Sequence, residues 1–140
     1  MRIKFIILTI FSLSVLFGQG STWESLTSGS IRNLESVHFI DSSTGWVVGS
    51  SGAILKTTDG GSSWSSQTVG TMWSLRAVYF IDSSTGWVVG SSGQVWTPTA
   101  ENTWSVKSTP TSKNLYDVHF DDSNKGWAVG GSGTILYTND

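Results

Sequence analysis

An all-β fold, a partial β-propeller of about three four-stranded blades behind an N-terminal signal peptide, is what this sequence predicts. Three observations predict it. Trp23, Trp64 and Trp104 stand 41 and 40 residues apart, and each is followed 23 positions later by another tryptophan, Trp46, Trp87 and Trp127, inside GWVVG, GWVVG and GWAVG. A period near 40 with several short strands per unit is the pattern of propeller blades. The composition agrees: 16 glycines, 8 tryptophans and only 2 prolines in 140 residues suit short strands and tight turns, not long helices. Last, MRIK precedes a run of 13 apolar-rich residues, Phe5 to Phe17, and then the small-x-small triplet Gly18-Gln19-Gly20. That is the layout of an export signal, and the run falls short of the roughly 20 apolar residues that span a bilayer.

The organisation that follows is a signal peptide over residues 1–20 and a repeat domain over 21–140, with units at about 23–63, 64–103 and 104–140. Export makes the protein secreted or periplasmic, without stable membrane insertion. There is no cysteine, so lipidation, disulfides and zinc–thiolate sites are excluded. Cleavage after Gly20 removes Arg2 and Lys4 and no acid, leaving 6 basic side chains against 10 acidic ones, a net charge of −4. A mildly acidic chain lacks the basic footprint that nucleic acid requires.

Each unit reads the same way. Leu34, Leu75 and Leu115 open an inner strand, LESVHFI in the first copy, with Val37 and Phe39 on one face. DSSTG (Asp41 to Gly45) is a turn. WVV is the second strand, GSSG the next turn, and AILKTT (Ala53 to Thr58) the third strand. TTDGGSSW (Thr57 to Trp64) then turns the chain into a fourth strand, WSSQTV. Asp59 accepts hydrogen bonds from backbone N–H groups of its own turn. Gly60 and Gly61 permit positive φ. Trp64 covers the turn. The second copy, TPTAENTW (Thr97 to Trp104), keeps threonine and tryptophan but loses the aspartate and the glycines, which marks the box as structural, not catalytic. Trp96, aligned with Leu55 and Leu136, belongs to the core.

Thr57, Asp59, Gly61, Ser63 and Trp64 match the Asp-box, or bacterial neuraminidase repeat, Ser/Thr-x-Asp-x-Gly-x-Ser/Thr-Trp. The wider unit, covering residues 23 to 140, resembles the photosystem II stability/assembly factor-like repeat. The resemblance implies a propeller. In the assembly factors it implies seven blades docking on a membrane-protein precursor through an arginine-rich surface. This chain has about three units, and past residue 20 only Arg32 and Arg76. Sialidases share the box and imply three arginines around a carboxylate, which two arginines do not supply.

Function is expected where the units differ. Nine residues after the box tryptophans come Arg32, Trp73 and Lys113; twelve after come Glu35, Arg76 and Tyr116. They fall on or near the loops entering the inner strands, at one face, and such loops carry most binding surfaces. Met72 and Trp73 stand outside the repeat as candidate exposed contacts. His38 and His119 share a repeat position with Tyr79, but without a third histidine they make no zinc set. The DSSTG turns lack the closing glutamate of a calcium loop. Asp117 and Asp121 are the only dense carboxylates outside the repeated turns. The expected function is therefore a non-catalytic scaffold for a protein or glycan partner, with no cofactor and no metal. The alternative is a fragment of an Asp-box propeller glycoside hydrolase, whose paired carboxylates would sit on loops of different blades.

Residues 23 to 27 read as a fourth strand lacking its first three, and 115 to 138 as three strands lacking their fourth. Three blades are fewer than the four to eight of closed propellers. Thr138-Asn139-Asp140 reads as the opening of another box, so the expectation is a truncated array. The alternative is a pair of copies making six blades.

Overall fold

The computed structural model describes residues 23–100 and 102–140. The expected signal peptide and its cleavage site lie outside them. The described chain is three antiparallel sheets. Blade 1 is β1 (Leu34–Phe39), β2 (Gly45–Gly49), β3 (Ala53–Thr57) and β4 (Ser65–Ser66). Blade 2 is β5 (Leu75–Phe80), β6 (Gly86–Gly90), β7 (Val95–Ala100) and β8 (Thr103–Lys107). Blade 3 is β9 (Leu115–Phe120), β10 (Lys125–Gly130) and β11 (Ile135–Asn139). The helical residues among those described are single 3-10 turns at Ser50–Gly52, Ser91–Gly93 and Gly131–Gly133. In each the middle serine takes positive φ, for example 53° at Ser51.

Local chemistry accounts for the meander. The Asp41 carboxylate accepts the N–H groups of Ser43 and Thr44, both at 2.7 Å, closing the β1–β2 turn. Asp82 and Asp122 repeat the device with Ser84 and Thr85, and with Asn124 and Lys125. The glycine that follows each turn is set by packing. A Cβ on Gly45, Gly86 or Gly126 would lie 2.7, 2.4 or 2.5 Å from the ring of Phe39, Phe80 or Phe120.

The core lies between sheets, not within one. The first seam buries Trp46, Val48, Ile54, Leu75, Val78, Phe80 and Trp96. The second buries Ala77, Val89, Leu115, Val118, Phe120 and Ala128. Burying apolar area between stacked sheets is what stabilises such an array. Trp46 lies flat on Phe80 with ring centroids 3.6 Å apart, and Trp87 on Phe120 at 3.4 Å. At both described seams the second-strand tryptophan thus stacks on the inner-strand phenylalanine of the following blade. Trp96 is in the core as expected.

Two expectations need correction. Residues 23 to 27 form no strand; Trp23 is fully exposed, and Leu26 reaches back to within 3.1 Å of a Cβ position on Gly61. An isolated segment has no sheet edge to pair with there. Val37 and Phe39 share one face, and that face is open: they are 60% and 39% exposed, against 5% and 3% for Val78 and Phe80. No described blade precedes β1 to cover them. The fourth strand of blade 1 is also shorter than its pattern suggests. After Gln67 the chain leaves β3 and joins blade 2, where the Thr68 N–H donates to the Asn102 carbonyl at 3.1 Å.

Candidate functional site

The entry loops of all three blades are built alike. The N–H of Arg32 donates to the Ser30 hydroxyl, that of Trp73 to Thr71 and that of Lys113 to Thr111, each at 3.1 Å. The next carbonyls, Asn33, Ser74 and Asn114, accept from the 3-10 turns at Ser50, Ser91 and Gly131. Three different side chains are therefore held at one position of one frame. All three are exposed. Antiparallel order puts these loops and the 3-10 turns at one end of every sheet, and the aspartate turns and box at the other.

Glu35, Arg76 and Tyr116 lie not in the loops but in the inner strands β1, β5 and β9. They form a row across the three blades. Arg76 Nη1 is 3.4 Å from the Glu35 carboxylate, and its guanidinium carbon is 5.5 Å from the Tyr116 ring centroid. A cation over an aromatic face is attracted to it. Arg32 instead donates to the Ser51 carbonyl of its own blade, and the Lys113 ammonium pairs with no carboxylate among the described residues. Met72 and Trp73 stay 77% and 51% exposed. The face is thus cationic and apolar, although the chain carries −2 overall.

A second row lies alongside. The rings of His38, Tyr79 and His119 follow one another across β1, β5 and β9, tilted by 43° at 4.8 Å and edge-on at 4.9 Å. His38 Nε2 contacts the Phe80 carbonyl at 2.9 Å. Among the described residues no three His, Cys, Asp or Glu side chains gather as a metal set.

The box does structural work. The Thr57 hydroxyl, buried, donates to Asp59 at 2.8 Å and accepts the Gly61 N–H at 3.0 Å. Asp59 in turn accepts the Ser63 N–H at 2.9 Å and the Ser63 hydroxyl at 2.6 Å. The Ser63 hydroxyl and N–H, then Thr57, hold the Asp59 carboxyl down at about 2. Ser43 and Thr44 do the same to Asp41, and Ser84 to Asp82, both also near 2. Carboxylates fixed this way are permanent acceptors, unsuited to carrying protons near neutral pH.

Pattern reading missed Gln67. Its amide bridges two blades, accepting from the Trp104 indole at 2.9 Å and donating to Asn102 at 3.2 Å. Its repeat position, three residues after the box tryptophan, holds Leu26, Gln67 and Lys107 in turn, and that variation is the signal that could have flagged it.

The family model described as photosynthesis system II assembly factor YCF48 matches residues 17–95, more than half of the chain. The chain belongs to this family. No curated protein matches it. Among solved structures, YCF48 bound to D1 peptide superposes with a TM-score of 0.75 at 23% identity, covering 86% of this chain and 42% of that one. YCF48 from Cyanidioschyzon merolae gives 0.72 at 23% identity, covering 85% and 40%. The chain thus spans less than half the length of these YCF48 structures, and the likeness establishes the propeller fold.

Proposed function

We propose that this member of the YCF48 family is a non-catalytic protein-binding propeller segment, which docks a carboxylate-bearing peptide on its entry-loop face. The observation that carries this is the repeated frame presenting Arg32, Trp73 and Lys113 beside the Glu35–Arg76–Tyr116 row. A cationic rim around an exposed indole fits an anionic chain with one apolar anchor. The YCF48 structure with a D1 peptide lends support by analogy of fold. The glycosidase alternative draws none: the Asp117 carboxylate accepts from the adjacent Val118 N–H at 2.9 Å, and Asp121 sits 3.7 Å from both His119 and Lys125.

The test is a titration of the chain with the D1 peptide and with an array of acidic and neutral peptides, followed by tryptophan fluorescence. Acidic peptides should bind, and Trp73→Ala or Arg32→Ala with Lys113→Ala should weaken binding about tenfold or more. Equal weak binding of all peptides, unchanged in the variants, refutes the reading. We further propose that residues 1–20 direct export. Fractionation with N-terminal sequencing should find the protein outside the cytoplasm, beginning at Ser21.

A further inference from the structure

The seam between blades 1 and 2 is sealed at its centre by aromatic packing. Trp46 lies flat on Phe80, and the two are 1% and 3% exposed. Toward the outer strands the two blades part, and a cleft of about 300 Å³ opens over this floor. It lies at the end of the sheets that carries the aspartate turns, opposite the entry loops. Trp104, edge-on to Phe80 at 5.9 Å, and Pro98 give it apolar lining from blade 2. Blade 1 supplies Lys56, whose ammonium is 5.3 Å from the Trp46 ring centroid. Gln67, Asn102 and the Ser83 hydroxyl complete the polar lining.

The polar lining comes from positions at which the units differ. Lys56 stands where the other units have Thr97 and Tyr137, Gln67 where they have Leu26 and Lys107, and Asn102 where the first box has Ser62. The first box spends its polar atoms on itself, Asp59 being held by Thr57 and Ser63. The hairpin that replaces it in blade 2 turns its polar atoms across the seam. Gln67 accepts from the Trp104 indole at 2.9 Å and donates to the Asn102 side-chain carbonyl at 3.2 Å, while the Asn102 backbone carbonyl accepts the Thr68 N–H. These groups are thus fixed before any ligand arrives, which lowers the ordering cost of binding. Their network leaves the Asn102 amide N–H groups and one Gln67 N–H to spare, and Lys56 pairs with no carboxylate among the described residues.

We propose that this cleft is a carbohydrate-binding site that takes a single pyranose ring. A pyranose presents an apolar C–H side and a rim of hydroxyls that both donate and accept. The indole of Trp104 and the ring of Pro98 suit the first. Amides and a hydroxyl, which also donate and accept, suit the second, and the Lys56 ammonium adds donors alone. An apolar hollow between packed units, with a few convergent polar groups, is the usual form of a small-ligand site, and this volume stands at the small end of that range. It matches one ring held between the blades, not a chain of sugars buried whole. The site is independent of the peptide face, since the two lie at opposite ends of the sheets.

Saturation-transfer NMR of the full chain with glucose, N-acetylglucosamine and glucuronate tests it, read together with the indole N–H resonance of Trp104. At least one of the sugars should receive saturation and move that resonance to a plateau, while acetate does neither. Gln67→Leu and Lys56→Thr import residues that other units carry at the same positions, so the fold should stand, as thermal melts would check. Each should weaken sugar binding about tenfold, the effect of losing one or two polar contacts, and either variant alone decides the point. Trp73→Ala, at the far end of the sheets, should leave sugar binding unchanged. The proposal is overturned if none of the three sugars gives a saturable response, leaving the cleft to water. It is equally overturned if acetate moves the Trp104 resonance as the sugars do, which would mark an anion site, or if both variants bind like the parent.

Discussion

Residues 57–64 and 97–104 occupy the same place in consecutive blades and solve the same problem differently. In the first, Asp59 and Thr57 knit an eight-residue loop together, and the strand beyond it pairs over only Ser65–Ser66. In the second, aspartate and glycines are gone, β7 runs on to Ala100 and β8 starts at Thr103, with Asn102 at φ 64° making the turn. Yet Trp64 and Trp104 both end up edge-on to their phenylalanines. What the two loops have in common is delivery of an indole to the seam. Hydrogen-bonded loop and regular hairpin are alternative ways to bring it there.

The comparison can be broken most severely at its common target. Phe80→Ala empties the space between Trp46 and Trp104 and should cost about 3–5 kcal/mol in urea denaturation. That is a large share of the roughly 5–15 kcal/mol available to a domain. Phe39→Ala, at an already exposed position in the single chain, should cost well under half as much there.

The hydroxyls come next. Thr57→Val leaves the buried Gly61 N–H without its acceptor, so a loss of about 1–3 kcal/mol is expected. Thr97→Val removes only a 3.4 Å contact with Ser105 and should fall within about 0.5 kcal/mol of the parent. Comparable losses at both positions would mean that the hairpin depends on its threonine after all.

Acid gives the mildest probe. Asp41, Asp59 and Asp82 have folded values near 2, below the ordinary 3.8. Their contribution is therefore complete above about pH 4 and is lost as pH falls through about 2. Thermal melts should be level from neutral pH to about 5 and then decline. Asp59→Asn should make that decline shallower, while a change at Thr99, the matching position of the second loop, should leave it untouched.

These contrasts show what pattern alone could reveal. The blades were readable because a period of 40 or 41 residues superposes every glycine, phenylalanine and tryptophan that a seam uses. Trp96 could be assigned to the core because it aligns with leucines. The candidate face was half readable. Position within the repeat singled out Arg32, Trp73 and Lys113, but the pairing of Glu35 with Arg76, and of Arg76 with Tyr116, arises only when β1, β5 and β9 stand side by side. Other departures lie where neighbours differ: the fourth strand of blade 1 stops at Ser66, and Gln67 turns to blade 2. Val37 and Phe39 carry the core pattern without a covering neighbour, and Trp23 carries the strand pattern without a partner. A repeat records what each module offers, whereas burial depends on who stands next to it.

The stacking of each second-strand indole on the following phenylalanine has a directional consequence. At both described joints one module hands an aromatic ring forward to the next, so a duplicated stretch of 40 or 41 codons inserted in frame brings a ready-made joint at either side. Such a chain can lengthen or shorten by whole modules without any older joint having to change, which leaves the exposed loops free to diversify.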